Sequence, residues 1–241
     1  MTATTKVGVL GASGRMGAQI CAAIDAADDL TLVATVDAAD SRESLLAADV
    51  VVDVTVPDAV MANIEWCVTN GKHMVIGTSG FTAERITLVQ SIAKRNPSVS
   101  LLICPNFGIG AILMMAWAQQ AARFFPDAEI IEYHHSGKVD APSGTAVRTA
   151  QLISGARGDV QAAPRVGDSH GERVDDVNVH SVRGDGYLAH QDVLFSAPGE
   201  RLTIRHDSLD RASFMPGVLL GIRAVTAQPG VTVGLEGLLG L

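Results

Sequence analysis

Residues 134–146 read HHSGKVDAPSGTA. Two adjacent histidines, a lysine four residues after the first, and a Ser-Gly-Thr turn behind a proline put proton carriers and anion binders within one short span. An imidazole exchanges a proton near neutral pH, and Lys138 offers a positive charge with transferable protons. The histidines end a strand-like run, EIIEYHH, where successive side chains point to opposite faces. Both can serve one site only if the chain bends after them, and Ser136-Gly137 supplies that bend. Ser143 is placed to cap a helix that continues AVRTAQLI. The N–H groups of Gly144 and Thr145, with the Thr145 hydroxyl, then point at a carboxylate. Asp140 is a candidate for orienting Lys138. The combination describes a site for an anionic substrate that must be protonated.

A second set lies at the start of the chain. VGVL runs straight into GASGRMG, with Gly11, Gly14 and Gly17 three apart at a strand-to-helix turn. The first glycine permits the turn, the second a close approach of backbone to a pyrophosphate, and the third tight helix–strand packing. Backbone N–H groups from Ser13 through Arg15 to Met16 would face the phosphates. A following strand ends in Asp37, whose carboxylate can accept hydrogen bonds from ribose hydroxyls. Ala38 and Ala39 come next, with no arginine to pair a 2′-phosphate. NADH is therefore the favoured cofactor, with NADPH also used. Arg15, or less readily Arg42, is the candidate to reach such a phosphate. Gly77-Thr78-Ser79-Gly80 and Cys104-Pro105-Asn106-Phe107 each follow a strand, at the carboxyl edge where open α/β sheets bind ligands, and could contact the nicotinamide half.

Both sets need a scaffold that fixes them. Over residues 1–104, short β-branched runs at Val7–Leu10, Leu32–Val36, Val50–Val56, Met74–Ile76 and Leu101–Ile103 alternate with helical patterns near 15–27, 58–70 and 82–95. Buried strands separated by crossover helices predict a doubly wound parallel sheet. After Pro105 the style changes. A helix near 108–125 is followed by strands near 129–135, 174–183, 187–197 and 200–207, and the alternation in VNVHSV and RLTIRH fits a half-covered antiparallel sheet. Residues 155–173 read as a surface loop, and a last helix near 210–227 as one that packs back on the first domain. Trp66 and Trp117 read as core. His73 reads as structural, and His170, His180, His190 and His206 as residues of solvated faces.

Composition narrows the function. The 241 residues carry a formal net charge of −8 and no Lys/Arg run, which argues against nucleic acid or a membrane surface as partner. No apolar run has the length of a transmembrane helix, and the N-terminus lacks the pattern of a signal peptide. Cys21, Cys67 and Cys104 are widely separated in apolar segments. They read as free thiols of a cytoplasmic protein, and no Cys or His cluster has the spacing of a metal site.

GASGRMG, IGTSGF, PNFGIGA and HHSGKVDAPSGTA, in this order and spacing and with the closing RASFMPGVLLGI, resemble the dihydrodipicolinate (4-hydroxy-tetrahydrodipicolinate) reductase family. The resemblance covers essentially the whole chain, and the histidine–lysine segment is its most specific part. It implies a Rossmann-type cofactor domain at 1–105 and 212–241. It also implies a mixed α/β domain at 106–211 that binds substrate and forms a homotetramer. Gly11, Ala12, Ser13, Gly14, Arg15 and Met16 match the family's pyrophosphate loop, and Asp37 its ribose acid. Gly77, Thr78 and Ser79, with Cys104, Pro105, Asn106 and Phe107, match its other cofactor contacts. His134 matches the proton donor, Lys138 a second donor that also binds substrate, His135 a substrate contact, and Gly144 with Thr145 the carboxylate site.

The implied reaction is a hydride transfer from NADH or NADPH to C4 of a cyclic imine dicarboxylate that loses its hydroxyl as water, with a proton then added to the neighbouring ring carbon. Two positions depart from the family pattern: Ser79 stands where many members have Thr, and Ala38 where many have Arg. Another two-domain dehydrogenase, or a non-catalytic nicotinamide sensor, would share the glycine loop, but neither has a need for HHSGKVDAPSGTA.

Overall fold

The computed structural model describes residues 4–158, 160, 167 and 169–241. The chain opens with β1 (Thr5–Leu10), α1 (Arg15–Asp25), β2 (Leu30–Val36), β3 (Val50–Asp53), α2 (Pro57–Thr69), β4 (His73–Ile76), α3 (Ala83–Ala93) and β5 (Ser100–Ile103). It continues through α4 (Ile109–Ala121), β6 (Asp127–His134), α5 (Gly144–Ala156), β7 (Glu172–Val174), β8 (Val177–Arg183), β9 (Ala189–Ala197) and β10 (Glu200–Ser208). It closes with α6 (Met215–Ala224) and β11 (Gly230–Val233). Two compact units result, one from residues 1–107 and 214–241, the other from Gly108–Ser213.

The first unit is a six-stranded sheet in the order β11-β5-β4-β3-β1-β2, with every pairing parallel. Its central strands β3, β4 and β5 are almost wholly buried because helices cover both faces. Val60 and Ile64 of α2 and Val89 of α3 pack with Val51, Met74 and Leu101 on one face. On the other, α6 comes so close that a Cβ on Gly221 would touch Val75 and Leu102. β2 and β3 flank β1 on opposite sides, so the direction of winding reverses at the carboxyl ends of β1 and β3, where such sheets bind ligands.

The last helix is shorter than its pattern predicts. Single 3-10 turns at Arg211–Phe214 and Val225–Ala227 bracket α6. β11 (Gly230–Val233) has no counterpart among the expected strands. GVTV is a weak strand signal that becomes a strand because the edge of β5 is available to pair with it.

The second unit is a five-stranded sheet in the order β10-β9-β6-β8-β7, parallel only between β6 and β8. The run expected as one strand at 174–183 is two, because Asp175 takes a positive φ of 51° and turns the chain between β7 and β8. The expected loop at 155–173 is only partly so, since α5 runs to Ala156 and β7 starts at Glu172. Its middle, at 159, 161–166 and 168, lies outside the described residues.

One sheet face meets the helices. Gln191 donates to the Thr149 hydroxyl of α5 at 2.9 Å, and the His206 ring lies against Gly110 of α4. The opposite face is charged. There Tyr133 donates to Asp192 at 3.0 Å, Arg205 pairs with Asp192 and Asp207, and His190 Nδ1 lies 2.7 Å from Asp207.

Three expectations need correcting. His206 is not on a solvated face, since its ring lies against Gly110 of α4 on the helix-covered side of the sheet. Trp117 is 51% exposed rather than core, because it falls on the outward stripe of α4 with Leu113 and Gln120 while Ala111, Ile112 and Ala118 face inward. His190 is buried, not solvated, held between the Tyr187 ring and Asp207. Trp66 does pack against the core, and His73 is structural, its Nδ1 accepting the Ser100 N–H at 3.1 Å.

Candidate functional site

The glycine loop leaves β1 at Gly11, whose φ of +81° is one that side chains other than hydrogen resist. A Cβ on Gly17 would sit 2.0 Å from the Gly11 carbonyl oxygen, so only glycine lets α1 start this close to β1. Gly14 caps α1 with no side-chain hydrogen bond, and no acidic side chain lies in its first turn. The first N–H groups of the helix therefore retain their attraction for an anion. Asp37, at the end of β2, accepts the Ser13 N–H at 3.2 Å to each carboxylate oxygen.

A cleft of about 760 Å³ opens beside this loop. Leu10, Gly11, Ser13 and Gly14 line one side, Val36, Asp37 and Ala38 a second, and Val54, Thr55 and Asn63 the floor. Its outer wall holds Asp40, Ser41, Arg42, Glu43 and the Trp66 ring. The volume, the backbone donors and a carboxylate at the end of β2 fit the adenosine half of a dinucleotide. Three carboxylates against one guanidinium make a poor place for an added phosphate dianion. Arg42 lines the cleft, whereas Arg15 is exposed and does not.

Two of the cleft's lining residues, Thr55 and Asn63, belong to a cluster not singled out from the sequence. Asp53, with no exposure, ends β3 and accepts hydrogen bonds from the Thr55 hydroxyl, Asn63 and the Thr78 hydroxyl, each at 2.7 Å. A lone Asp closing a Val-Val-Val strand carries no mark of these partners, which come from the turn after β3, from α2 and from the loop after β4. Thr78 is thereby committed through its hydroxyl to Asp53, while Ser79 is exposed at the loop. Gly77 leaves room for the Phe107 ring, since a Cβ there would lie 2.4 Å from it. Cys104 is buried, burial pushes its thiol pKa up, and its N–H is used by Ile76 at 2.8 Å. Its side chain belongs to the core, while Pro105 is exposed and Asn106 half-buried.

In the second unit β6 ends at His134, and the expected bend follows, closed by the Lys138 N–H on the His135 carbonyl at 3.0 Å. Lys138 Nζ reaches both oxygens of Asp140, at 2.8 and 2.9 Å, which holds the Asp140 carboxyl below its usual range. Ser143 is the N-cap of α5, its hydroxyl accepting the Ala146 N–H at 3.2 Å. Nothing lies within 4 Å of where a Gly144 Cβ would be, so the turn is open in front of the helix. His134 and His135 thus stand where β6 gives way to the connection, Lys138 within it, and Gly144 and Thr145 where it enters α5.

Behind them stand two residues without a sequence signal. Glu132 has no exposure; its Oε2 lies 2.5 Å from His134 Nδ1, and Arg183 grips both its oxygens at 2.8 and 2.9 Å. Burial alone would raise the Glu132 pKa, but hydrogen bonds from His134 and Arg183 outweigh it and hold the carboxyl at about 2. Among the described residues no group of three His, Cys, Asp or Glu side chains could hold a metal ion, and no helix is long and apolar enough to cross a membrane.

Comparison with known proteins matches both units. The family model for dihydrodipicolinate reductase, N-terminus, covers residues 5–107, and that for dihydrodipicolinate reductase, C-terminus, covers 110–239. The 4-hydroxy-tetrahydrodipicolinate reductase of Cutibacterium acnes is 52% identical over 98% of this chain and 99% of its own. That of Mycobacterium sp. (strain KMS) is 53% identical with the same coverage. Among solved structures, the dipicolinate-bound dihydrodipicolinate reductase of Paenisporosarcina sp. TG-14 superposes with a TM-score of 0.86 at 36% identity, over 97% of this chain and 99% of that one.

Proposed function

The chain belongs to the dihydrodipicolinate reductase family, and from that premise we infer that it is itself a 4-hydroxy-tetrahydrodipicolinate reductase, an NAD(P)H-dependent oxidoreductase of the diaminopimelate–lysine pathway. The observation that carries this is identity above half over nearly the full length, together with an intact HHSGKVDAPSGTA segment. The substrate is (2S,4S)-4-hydroxy-2,3,4,5-tetrahydrodipicolinate, a small dicarboxylate, as the dipicolinate held by the Paenisporosarcina relative supports. The 340 nm absorbance of NADH or NADPH, followed with freshly made substrate, tests it. Substrate-dependent loss is expected, and no oxidation of either cofactor would refute it.

The cofactor is assigned to the first unit. The loop Gly11-Ala12-Ser13-Gly14-Arg15-Met16 would hold the pyrophosphate and Asp37 the ribose; backbone at Gly77, Ser79 and Pro105–Phe107 would hold the nicotinamide half. When bound, the cofactor supplies the hydride that reduces C4 of the substrate. NADH is favoured over NADPH, with both used, because Asp37, Asp40 and Glu43 line the cleft and Arg42 alone opposes them.

The proton side of the reaction is assigned to the second unit. His134 gives the proton to the ring carbon next to C4, with Lys138 the second candidate. Lys138, Gly144 and Thr145 hold a substrate carboxylate, and His135 makes a further contact. The open helix start at Gly144 and the Lys138–Asp140 pair support this assignment. The enzyme acts in the cytoplasm as a homotetramer; the buried thiols of Cys67 and Cys104 suit a reducing compartment, and the charged sheet face bearing Tyr133, Asp192 and Arg205 is the surface proposed to pair.

A further inference from the structure

A buried charge away from water is costly unless every lone pair finds a donor, and Glu132 meets that condition unusually fully. Its Oε1 accepts from Arg183 at 2.8 Å and from the Ser143 N–H at 3.2 Å; its Oε2 accepts from Arg183 at 2.9 Å and faces His134 Nδ1 at 2.5 Å. A carboxylate so paired can only accept, so Nδ1 must carry the proton and Nε2 is the ring nitrogen left to exchange one with a ligand. Arg183 is fixed in turn. It lies opposite His134 in the β6–β8 register, and it donates to the carbonyls of Lys138 at 3.3 Å and Asp140 at 2.7 Å.

One carboxylate therefore meets three parts of the segment that carries the chemistry. It meets the ring of His134, the N-cap that opens the Gly144–Thr145 turn and, through Arg183, the Lys138–Asp140 loop. A strand-end residue needs no such set of ties to stay folded.

We propose that Glu132, held by Arg183, is a positioning residue for the reductase reaction: it fixes the tautomer and orientation of His134 and ties the carboxylate-binding turn to the same point. The proposal rests on the assignment of His134 as proton donor. Glu132 touches no substrate and acts through its neighbours.

The test compares full-length Glu132→Gln, His134→Gln and the double variant for kcat, for NADH affinity by fluorescence titration, and for inhibition by pyridine-2,6-dicarboxylate. Glu132→Gln should lower kcat by about tenfold or more, but by no more than His134→Gln does. The double variant should be no slower than His134→Gln alone, because the lost effect runs through that ring. The inhibitor should bind more weakly in both variants carrying Glu132→Gln, since the turn loses its tie, while NADH affinity stays unchanged. A kcat within twofold of wild type for Glu132→Gln, or losses that multiply in the double variant, would overturn the positioning role. If Glu132→Gln does not fold, Arg183→Lys, which keeps the cation and loses the fork, carries the same comparison with the same outcomes. Wild-type turnover in His134→Gln would instead remove the acid/base assignment on which the proposal rests, and the proposal with it.

Discussion

The Ser13 N–H lies 3.2 Å from each carboxylate oxygen of Asp37, so the glycine loop and the acid at the end of β2 are joined within the protein itself. This ties the loop to the end of β2 on the two sides of the cleft, and it fixes a negative charge beside the glycine loop.

The cofactor consequence is direct. NADH should bind more tightly than NADPH, and Ala38→Arg should shift the ratio toward NADPH by about tenfold, the value of one charge-assisted hydrogen bond of roughly 1.5 kcal/mol. Parallel fluorescence titrations of both cofactors measure it. A strong NADPH preference in the unaltered protein would contradict the reading of the cleft.

Stability should depend on pH through Glu132. Its carboxyl stands at about 2 in the folded chain against an ordinary 4.5, so the unfolded chain takes up the proton first as pH falls. The stabilisation is complete above pH 4.5 and is lost as pH drops from there toward 2, with a total of a few kcal/mol. Thermal unfolding between pH 6 and pH 2 should show Tm falling through that window. A flat profile would mean the buried pair does not hold the carboxylate ionised.

Lys138 is expected to bind as well as to assist. With its ammonium 2.8 Å from Asp140, it is presented at the turn rather than left to roam. Lys138→Ala should raise KM for the dicarboxylate by roughly 10- to 100-fold, the range of a charged hydrogen bond, and lower kcat too. An unchanged KM in initial-rate kinetics would count against the binding role.

Much of this was legible in the residues. The parallel sheet showed itself because strands covered on both faces must be mostly apolar, as in VVVD and SLLI. The glycine loop and the HHSGK segment showed themselves because their residue types are hard to explain by folding alone. Glu132 and Asp53 did not. Glu132 stands in a strand, where a glutamate ordinarily faces water, and becomes a buried ion only because Arg183, 51 residues later, lies on the adjacent strand. Asp53 is hidden in the same way, since Asn63 and Thr78 reach it only once α2 and β4 are in place. Trp117 misled because an aromatic ring in an apolar helix reads as core, whereas the facing of that helix is fixed by tertiary packing.

If His134 supplies the proton that completes reduction, His134→Gln should remove it. The measurement is kcat by NADH oxidation at 340 nm, with the NADH dissociation constant determined on the same preparation. A fall in kcat of about 10²- to 10⁴-fold, the range of a lost general acid, is predicted with cofactor affinity unchanged. Turnover near that of the wild type would contradict it.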